Sequence, residues 1–388
     1  MCPAPLLHPC WAPLLALLGA LCDRSRMKRP YVERLRVQSY GCVQDCEVRL
    51  TPIHALVGPN DSGKSTLLAA LHTLGLLGAP DRQVRETETW RRLQSRLVGS
   101  AGGTREALID ISAGAARWRV AGRGGSAREA VQGETPGQWR KLELGTNSPS
   151  TVIGQSGPDN PHGIFREAIA GATLLRLDPD ALRAPSPLIP DGEAVRFASE
   201  RGQGLPAIYD ALQTRDIDII AGLNERMRGL FPAFKSLKLR NATSQTKAIG
   251  VVLQDGTEVA ANDLSEGMLY YLALAALPFL DPTPLVLIEE PENGLHPARI
   301  AEVVQVLRSV AEQTQIVMAT HSPLVINELQ GSEVSVITRD PKKGTQAVLL
   351  ADTPNYEARS KAYANGELWL NYCDGVVEAP LVGGGARR

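Results

Sequence analysis

The sequence predicts an α/β fold built on a largely parallel sheet, in a chain of 388 residues. Short apolar runs of strand length occur at residues 53–57, 285–288 and 316–319. Near-continuous apolar runs of this length are typical of strands buried on both faces. Residues 64–75 and 298–314 repeat apolar side chains at helical spacing. Because strands alternate with helices, we expect helices to cover a parallel sheet.

The remainder of the chain contains further candidate elements and one weak region. Residues 79–160 are polar and rich in glycine and arginine, and loops are expected from 122 to 161. The other predicted elements are a helix, a hairpin and an almost wholly apolar helix, at residues 206–230, 249–260 and 265–280.

Composition restricts the classes of partner and of metal site. The net charge is −1 and aromatic residues make up 5% of the chain, so the whole chain lacks the charge and the stacking platforms typical of nucleic-acid binding. An arginine-rich run at 82–96 is interrupted by Glu86 and Glu88 and is interpreted as a solvated helix face. The six cysteines form no C-x-x-C pair and no histidine has zinc spacing, which favours a reduced, cytoplasmic protein.

A glycine-rich loop after the first apolar run carries the strongest chemical signal. The pattern G-x-x-x-x-G-K-[ST], between a predicted strand and a predicted helix, is matched by Gly58, Pro59, Asn60, Asp61, Ser62, Gly63, Lys64, Ser65 and Thr66. The glycines let backbone N–H groups turn toward an anion, and the helix N-terminus adds positive potential. We expect Lys64 to bind the β- and γ-phosphates of ATP and the Ser65 hydroxyl to bind Mg²⁺.

The apolar run at 285–288 ends in two adjacent carboxylates, as expected of a Walker B strand. Glu289 is expected to hold Mg²⁺ through water, and Glu290 to orient or deprotonate the attacking water. Most P-loop proteins have Asp at the first of these positions. Glu289 is one methylene longer.

Two further motifs complete the pattern. Leu264-Ser265-Glu266-Gly267 lies 25 residues before Glu290 and is similar to the LSGG-type signature of ABC ATPases. Ser265, Gly267 and the helix N-terminus would contact a γ-phosphate held by a second subunit; a plain N-cap is the structural alternative for Ser265. His321 follows the run at 316–319, 31 residues past Glu290, and is interpreted as a switch histidine that senses the γ-phosphate.

These motifs together resemble those of RecF- and OLD-like predicted ATPases. The stretch EEPENGLHP at 289–297 is similar to their EEPExxLHP, and ATHSP at 319–323 contains their THSP motif. LRLDP at 175–179 is similar to a stretch found in a subgroup of standalone bacterial AAA-family ATPases. The resemblance runs from Val32 to Asp340. It implies a P-loop NTPase fold of the ABC-head type, with a mixed sheet and a helical signature lobe, which binds Mg-ATP between two heads.

The expected organisation is a leader, a single head and a C-terminal tail, at residues 1–26, 27–352 and 353–388. The leader is expected to be disordered or an over-extended start, with a membrane-associating segment as the alternative. Within the head, a nucleotide lobe at 27–78 and 281–352 is expected to carry an inserted signature lobe at 79–280. The tail is expected either to pack on its own head or to dock a partner.

The chain departs from relatives at several positions. His296 stands where transporter ATPases carry Asp, and Tyr40-Gly41 stands where relatives often have Phe-Arg. Gln155 is the candidate for the Q-loop glutamine. Lys64 and the signature serine are 201 residues apart without heptads, which excludes an SMC-type coiled-coil arm. A TOPRIM nuclease domain after His321, as in the OLD family, is not expected.

The favoured function is an ATP-hydrolysing switch that forms an ATP-dependent homodimer and regulates a co-encoded effector protein. Such relatives often serve genome maintenance or antiphage defence, beside a nuclease or toxin partner. Nucleic acid is left open as a further partner, and no stable membrane partner is expected. Two alternatives are the nucleotide-binding subunit of a membrane transporter and a nucleotide-sensing scaffold with little turnover. The long interval between the P-loop and the signature disfavours the first, and the presence of Glu289, Glu290 and His321 disfavours the second.

Overall fold

The computed structural model describes residues 29–79, 88–98, 105–132, 139–142, 163–354 and 356–372. The strands are β1 (Arg34–Tyr40), β2 (Val43–Arg49), β3 (Ile53–Val57), β4 (Ala107–Ala113), β5 (Ala116–Arg123), β6 (Ser126–Gln132), β7 (Arg140–Leu142), β8 (Thr173–Leu175), β9 (Ser186–Pro187), β10 (Phe234–Asn241), β11 (Thr246–Leu253), β12 (Glu258–Ala260), β13 (Leu285–Glu289), β14 (Gln315–Thr320), β15 (Val334–Asp340) and β16 (Gly344–Leu349). The helices are α1 (Lys64–Gly78), α2 (Glu88–Val98), α3 (Gly163–Ile169), α4 (Pro179–Arg183), α5 (Leu205–Arg215), α6 (Ile217–Leu230), α7 (Glu266–Ala276), α8 (Ile300–Val310), α9 (Pro323–Asn327), α10 (Tyr356–Arg359) and α11 (Asn365–Tyr372).

The described residues divide into two compact units. The nucleotide unit lies within Arg29–Arg176 and Pro282–Arg388, and the signature unit comprises Leu177–Asp281. The signature lobe was expected to begin at residue 79. Among the described residues, α2, α3 and the strands β4 to β7 instead group with the nucleotide unit, in which β4 pairs with β1 along most of that strand.

A mixed six-stranded sheet, in the order β16-β15-β3-β14-β13-β8, forms the centre of the nucleotide unit. The five strands from β15 to β8 are parallel, and β16 is added antiparallel at one edge. Every residue of β3 and β14 is buried, including His54, as the short apolar runs predicted. The predicted α/β class with a mixed sheet is therefore confirmed.

A second, antiparallel sheet in the same unit has the order β2-β1-β4-β5-β6-β7. Helix α1 contacts β1 of this sheet and also β14, β13 and β8 of the mixed sheet. Every residue from Leu67 to Gly78 is consequently buried, whereas the sequence predicted a helix with one apolar face. A helix that is apolar all round suits a position between two sheets. Beyond residue 122, where loops were expected, β5 and β6 form a hairpin that turns at Gly124 and Gly125.

The signature unit is built on a smaller antiparallel sheet. Strands β10, β11 and β12 pair in that order, β9 pairs with β11, and α5 and α6 pack on β11 and β10 respectively. The helix predicted at 206–230 is two helices, because Asp216 ends α5 and its side chain caps α6 by accepting from the backbone N–H of Asp218 at 2.9 Å. The predicted hairpin is present as β11 and β12.

The described part of the tail packs on the nucleotide unit. Leu368 and Trp369 of α11 are buried, and the backbone N–H of Gly366 donates to Asn327 Oδ1 of α9 at 2.6 Å. Helix α11 is thus a component of its own head. In α2, Leu93 and Leu97 are buried and the arginines 91, 92 and 96 are exposed, so this part of the basic run lies on the exposed side of the helix.

Two expectations fall on residues outside the described ranges, namely the leader at 1–26 and the Q-loop candidate Gln155. Among the helices that are described, none combines the length and the apolar character that crossing a bilayer requires.

Candidate functional site

Four neighbouring parallel strands end at one edge of the mixed sheet. The register pairs Val57 with Thr320, Ala319 with Glu289, and Ile288 with Leu175. The P-loop, His321, Glu290 and Arg176 follow these strand ends directly. The sheet therefore gathers three motifs that the sequence had identified separately, together with one arginine that it had not.

The P-loop backbone is bent by residues in unusual conformations. Asp61 has a φ of 65° and Gly63 a φ of 109°, both in the left-handed region. A Cβ atom at Gly58 would overlap the carbonyl oxygen of Ile337 in β15, so this position accepts only glycine without a shift of the sheet. On the outer side, Thr345 Oγ1 of β16 donates to the carbonyl of Ser62 at 3.0 Å. The β15–β16 hairpin thus fixes the loop from outside.

Lys64 lies folded onto its own loop. Its Nζ donates to the carbonyl oxygens of Gly58 at 2.6 Å and Pro59 at 2.7 Å, and the residue is 8% exposed. Ser65 is exposed at the second position of α1, and Thr66 Oγ1 lies 3.1 Å from Cys42 Sγ. The ammonium group is therefore held over the loop at which an anion would bind.

At the end of β13, Glu289 and Glu290 are held in different ways. Glu289 Oε1 accepts from Arg176 Nη2 at 2.7 Å in an ion pair, with side-chain exposures of 20% and 28%. Glu290 has a φ of 49°, which is rare for a residue other than glycine, and its N–H donates to the carbonyl of Ala319 at 2.8 Å. Strain of this kind is concentrated at functional sites.

His321 lies against two carboxylates. Its Nδ1 is 3.2 Å from Glu290 Oε1 and 3.8 Å from Glu292 Oε1. Glu292 Oε1 also accepts from Thr320 Oγ1 at 2.5 Å and from the backbone N–H of His321 at 3.3 Å. Burial raises the pKa of the Glu292 carboxyl group above its usual value, against the opposing effect of these hydrogen bonds. Glu292 therefore joins the ends of β13 and β14 and positions the histidine.

The signature residues belong to the other compact unit. Ser265 is the N-cap of α7, and its hydroxyl accepts from the N–H of Met268 at 3.4 Å. Ser265 is exposed and Gly267 is buried. The cap that the sequence offered as the structural alternative is thus present, and a role toward nucleotide in a second subunit stays a prediction.

The residues at the sheet edge fit Mg-ATP. The Ser65 hydroxyl and the Glu289 carboxylate are hard oxygen donors of the kind Mg²⁺ prefers. Ser62 Oγ is buried and has no hydrogen-bond partner among the described residues. The first turn of α1 contains no acidic residue and its N-cap, Gly63, has no capping side chain, so the positive end of the helix is left for an anion.

Two residues at this edge carry contacts that the sequence did not reveal. Glu292 and Arg176 lie within the family-like stretches, but neither had a predicted role. For Arg176 the available signal was its place directly after Leu174 and Leu175, but a strand of three residues is too short for periodicity to detect.

The domain family described as "AAA domain, putative AbiEii toxin, Type IV TA system" matches residues 160–327, and the family described as "AAA ATPase domain" matches residues 31–75. A curated relative from Vibrio cholerae serotype O1 biovar El Tor, "Retron Vc95 probable ATPase", is 31% identical over 99 residues. That match spans 22% of this chain and 19% of the relative.

Solved structures with the same fold are heads of SMC proteins. The head in "Crystal structure of the SmcHead bound to the C-winged helix domain of ScpA" aligns with a TM-score of 0.52 at 17% identity, over 82% of this chain and 98% of that one. An Smc head with an extended coiled coil, bound to the C-terminal domain of ScpA derived from Pyrococcus furiosus, aligns with a TM-score of 0.53 at 14% identity, over 82% and 96% of the two chains. At these identities the likeness concerns the fold.

Proposed function

We propose that the chain, which matches AAA-family domain models and has the fold of SMC heads, hydrolyses Mg-ATP as an ABC-class switch, closes as a homodimer around two nucleotides and regulates an effector protein. The observation that carries the hydrolytic part is the convergence of the P-loop, Glu290 and His321 at adjacent strand ends. Phosphate binding alone would need only the loop. The strained Glu290 beside a histidine adds the group that activates water.

The residues divide the chemistry among them. Lys64 and the backbone of Gly58–Thr66 bind the phosphates, and Ser65 and Glu289 would hold Mg²⁺, which neutralises charge on the phosphates when bound. Glu290 orients or deprotonates the attacking water, and its carboxylate is kept in place by His321 Nδ1 at 3.2 Å. His321 is positioned in turn by Glu292 through its backbone N–H.

The dimer is proposed because the signature motif places an exposed serine at a helix N-terminus. Ser265 caps α7 and remains exposed, so the N-terminus of that helix is available to an anion carried by another molecule. In this arrangement each nucleotide is bound by the P-loop of one copy and the signature of the other.

The effector is proposed from the kind of protein that this chain matches. One matching family carries the words "toxin" and "Type IV TA system", and one relative is assigned to a retron. A role in which ATP-driven closure controls a co-encoded toxin or nuclease accounts for both, since closure matters only when it moves a partner.

Lys64→Ala is the decisive variant. Because two charge-assisted contacts to phosphate would be lost, the affinity for Mg-ATP should fall by about 100-fold or more in a calorimetric titration. Lys235→Ala, an exposed lysine of β10, is the matched control and should bind as the wild type does. Equal affinity of Lys64→Ala and wild type would refute the site. Assayed with the product of the adjacent gene, ATP should change the partner's activity with wild type and not with Lys64→Ala.

A further inference from the structure

Arg176 forms an ion pair with Glu289, the carboxylate that the proposed site assigns to the metal. Strands β8 and β13 are parallel neighbours with Leu175 beside Ile288, so the next residues, Arg176 and Glu289, emerge side by side at the same edge. Their ion pair is 2.7 Å long and each side chain is less than a third exposed. At such exposure the pair is screened less by salt than a fully exposed surface salt bridge.

The charges around the pair explain why a cation is needed there. Glu289, Glu290 and Glu292 lie within four residues of the chain, and Lys64 is directed at the carbonyls of its own loop. His72 of α1 is kept neutral, since burial, with the charges of Arg176 and Arg92 as smaller contributions, lowers its pKa to about 4. Arg176 is therefore the guanidinium that compensates Glu289 before any metal arrives.

The guanidinium is not fully satisfied in this position. Arg176 Nε is buried and has no hydrogen-bond partner among the described residues, and His72 Nδ1 is in the same condition. An arginine that served only as a structural anchor would be expected to satisfy its buried donors. The arrangement instead holds Arg176 mainly through Glu289, which makes the pair one that a stronger cation can break.

We propose that Arg176 is a positioning residue that holds Glu289 in the nucleotide-free protein and competes with Mg²⁺ for that carboxylate. This role rests on the proposed function and regulates metal binding at the same site. Because the two cations bind one oxygen pair, each must weaken the other by the same factor. Metal loading therefore releases Arg176, which is the last residue before the signature unit begins at Leu177.

The test measures how much Mg²⁺ strengthens nucleotide binding. AMP-PNP is titrated calorimetrically into the full chain in EDTA and in MgCl2, and the ratio of the two dissociation constants gives the magnesium gain. In Arg176→Met the magnesium gain should be about tenfold larger than in wild type, because Mg²⁺ no longer has to break a charge-assisted pair before it binds Glu289. In a Glu289→Gln background, Arg176→Met should leave the gain unchanged.

Several controls separate the outcomes. Arg201→Met removes an arginine paired with Asp178 on the signature unit and should leave the gain at the wild-type value. Arg176→Lys keeps the charge, so its gain should lie between those of wild type and Arg176→Met, and it replaces Arg176→Met if that variant fails to fold. A gain in Arg176→Met and Arg176→Lys equal to or smaller than that of wild type would overturn the inference alone. Absence of AMP-PNP binding by wild type would overturn the proposed function and the inference with it.

Discussion

Three glutamates within four residues of the chain have three different environments. Glu289 is paired with Arg176, Glu290 adopts a left-handed backbone conformation beside His321, and the Glu292 side chain is 8% exposed and has a raised pKa. Burial and partner, rather than residue type, thus assign each carboxylate its role. Glu292 differs from the other two because its oxygen accepts from both Thr320 and His321 of the next strand end.

Removing the Glu292 side chain should reduce turnover more than binding. In Glu292→Ala the Thr320 hydroxyl and the His321 N–H lose their acceptor, so His321 is no longer held 3.2 Å from Glu290. We expect kcat for ATP hydrolysis to fall by about 10- to 100-fold, because misplacing a catalytic group costs rate rather than affinity. Steady-state kinetics with a parallel binding titration distinguish the two quantities.

Glu292→Gln is the matched control for that experiment. It retains an oxygen acceptor of the same reach and should retain most of the activity. If Glu292→Gln loses as much kcat as Glu292→Ala, the carboxylate charge itself is required and the positioning role is wrong.

At the scale of elements, α11 connects the described part of the tail to α9, the helix that follows His321. It packs on α9, which begins two residues after His321, and Asn365 Nδ2 donates to the carbonyl of Leu329 at 2.7 Å. A Cβ atom at Gly366 would overlap the carbonyl oxygen of Pro323, so the two helices approach as closely as they do because position 366 is glycine.

Gly366→Ala should therefore force α11 away from α9. We expect the free energy of unfolding to fall by about 1–3 kcal/mol in a urea titration, as is usual when a close contact is overfilled. The ATPase rate should fall as well, because α9 begins two residues after His321 and a shift of α9 would move that histidine. Gly229→Ala in α6 is the matched control, since a methyl group at that position would meet no atom within 4 Å and alanine is the better helix former. Equal destabilisation by both variants would remove the special role of position 366.

At the scale of the whole molecule, the proposed mechanism assigns complementary halves of an ATP site to the two compact units. The P-loop, Glu290 and His321 lie in the nucleotide unit, and Ser265 lies in the signature unit. If each site is completed by a second copy, nucleotide occupancy and association are linked, and hydrolysis reverses both.

Glu290→Gln should make this linkage visible. Without the carboxylate that activates water, ATP would persist and the protein should run as a dimer by light scattering in Mg-ATP and as a smaller species without nucleotide. Adding Ser265→Arg, which places a bulky side chain at the N-cap of α7, should abolish the ATP-dependent dimer while nucleotide binding by each head persists. A Glu290→Gln protein that keeps one mass with and without saturating Mg-ATP would contradict the mechanism.

The sequence by itself determined the parts of the site that depend on neighbouring residues along the chain. The P-loop could be recognised because glycine positions, Lys64 and the start of α1 are contiguous, and Glu290 and His321 because each directly follows a buried strand. The α/β class followed from the same local periodicities. Tertiary structure decided what depends on strand order, which no local pattern encodes: Glu289 meets Arg176 across 113 residues and Thr320 meets Glu292 across 28. It also decided that α1 is buried on all sides from Leu67 to Gly78, because two sheets flank the helix. Finally, it decided that β4 to β6 join the nucleotide unit, because β4 pairs with the edge of β1 that β2 leaves free.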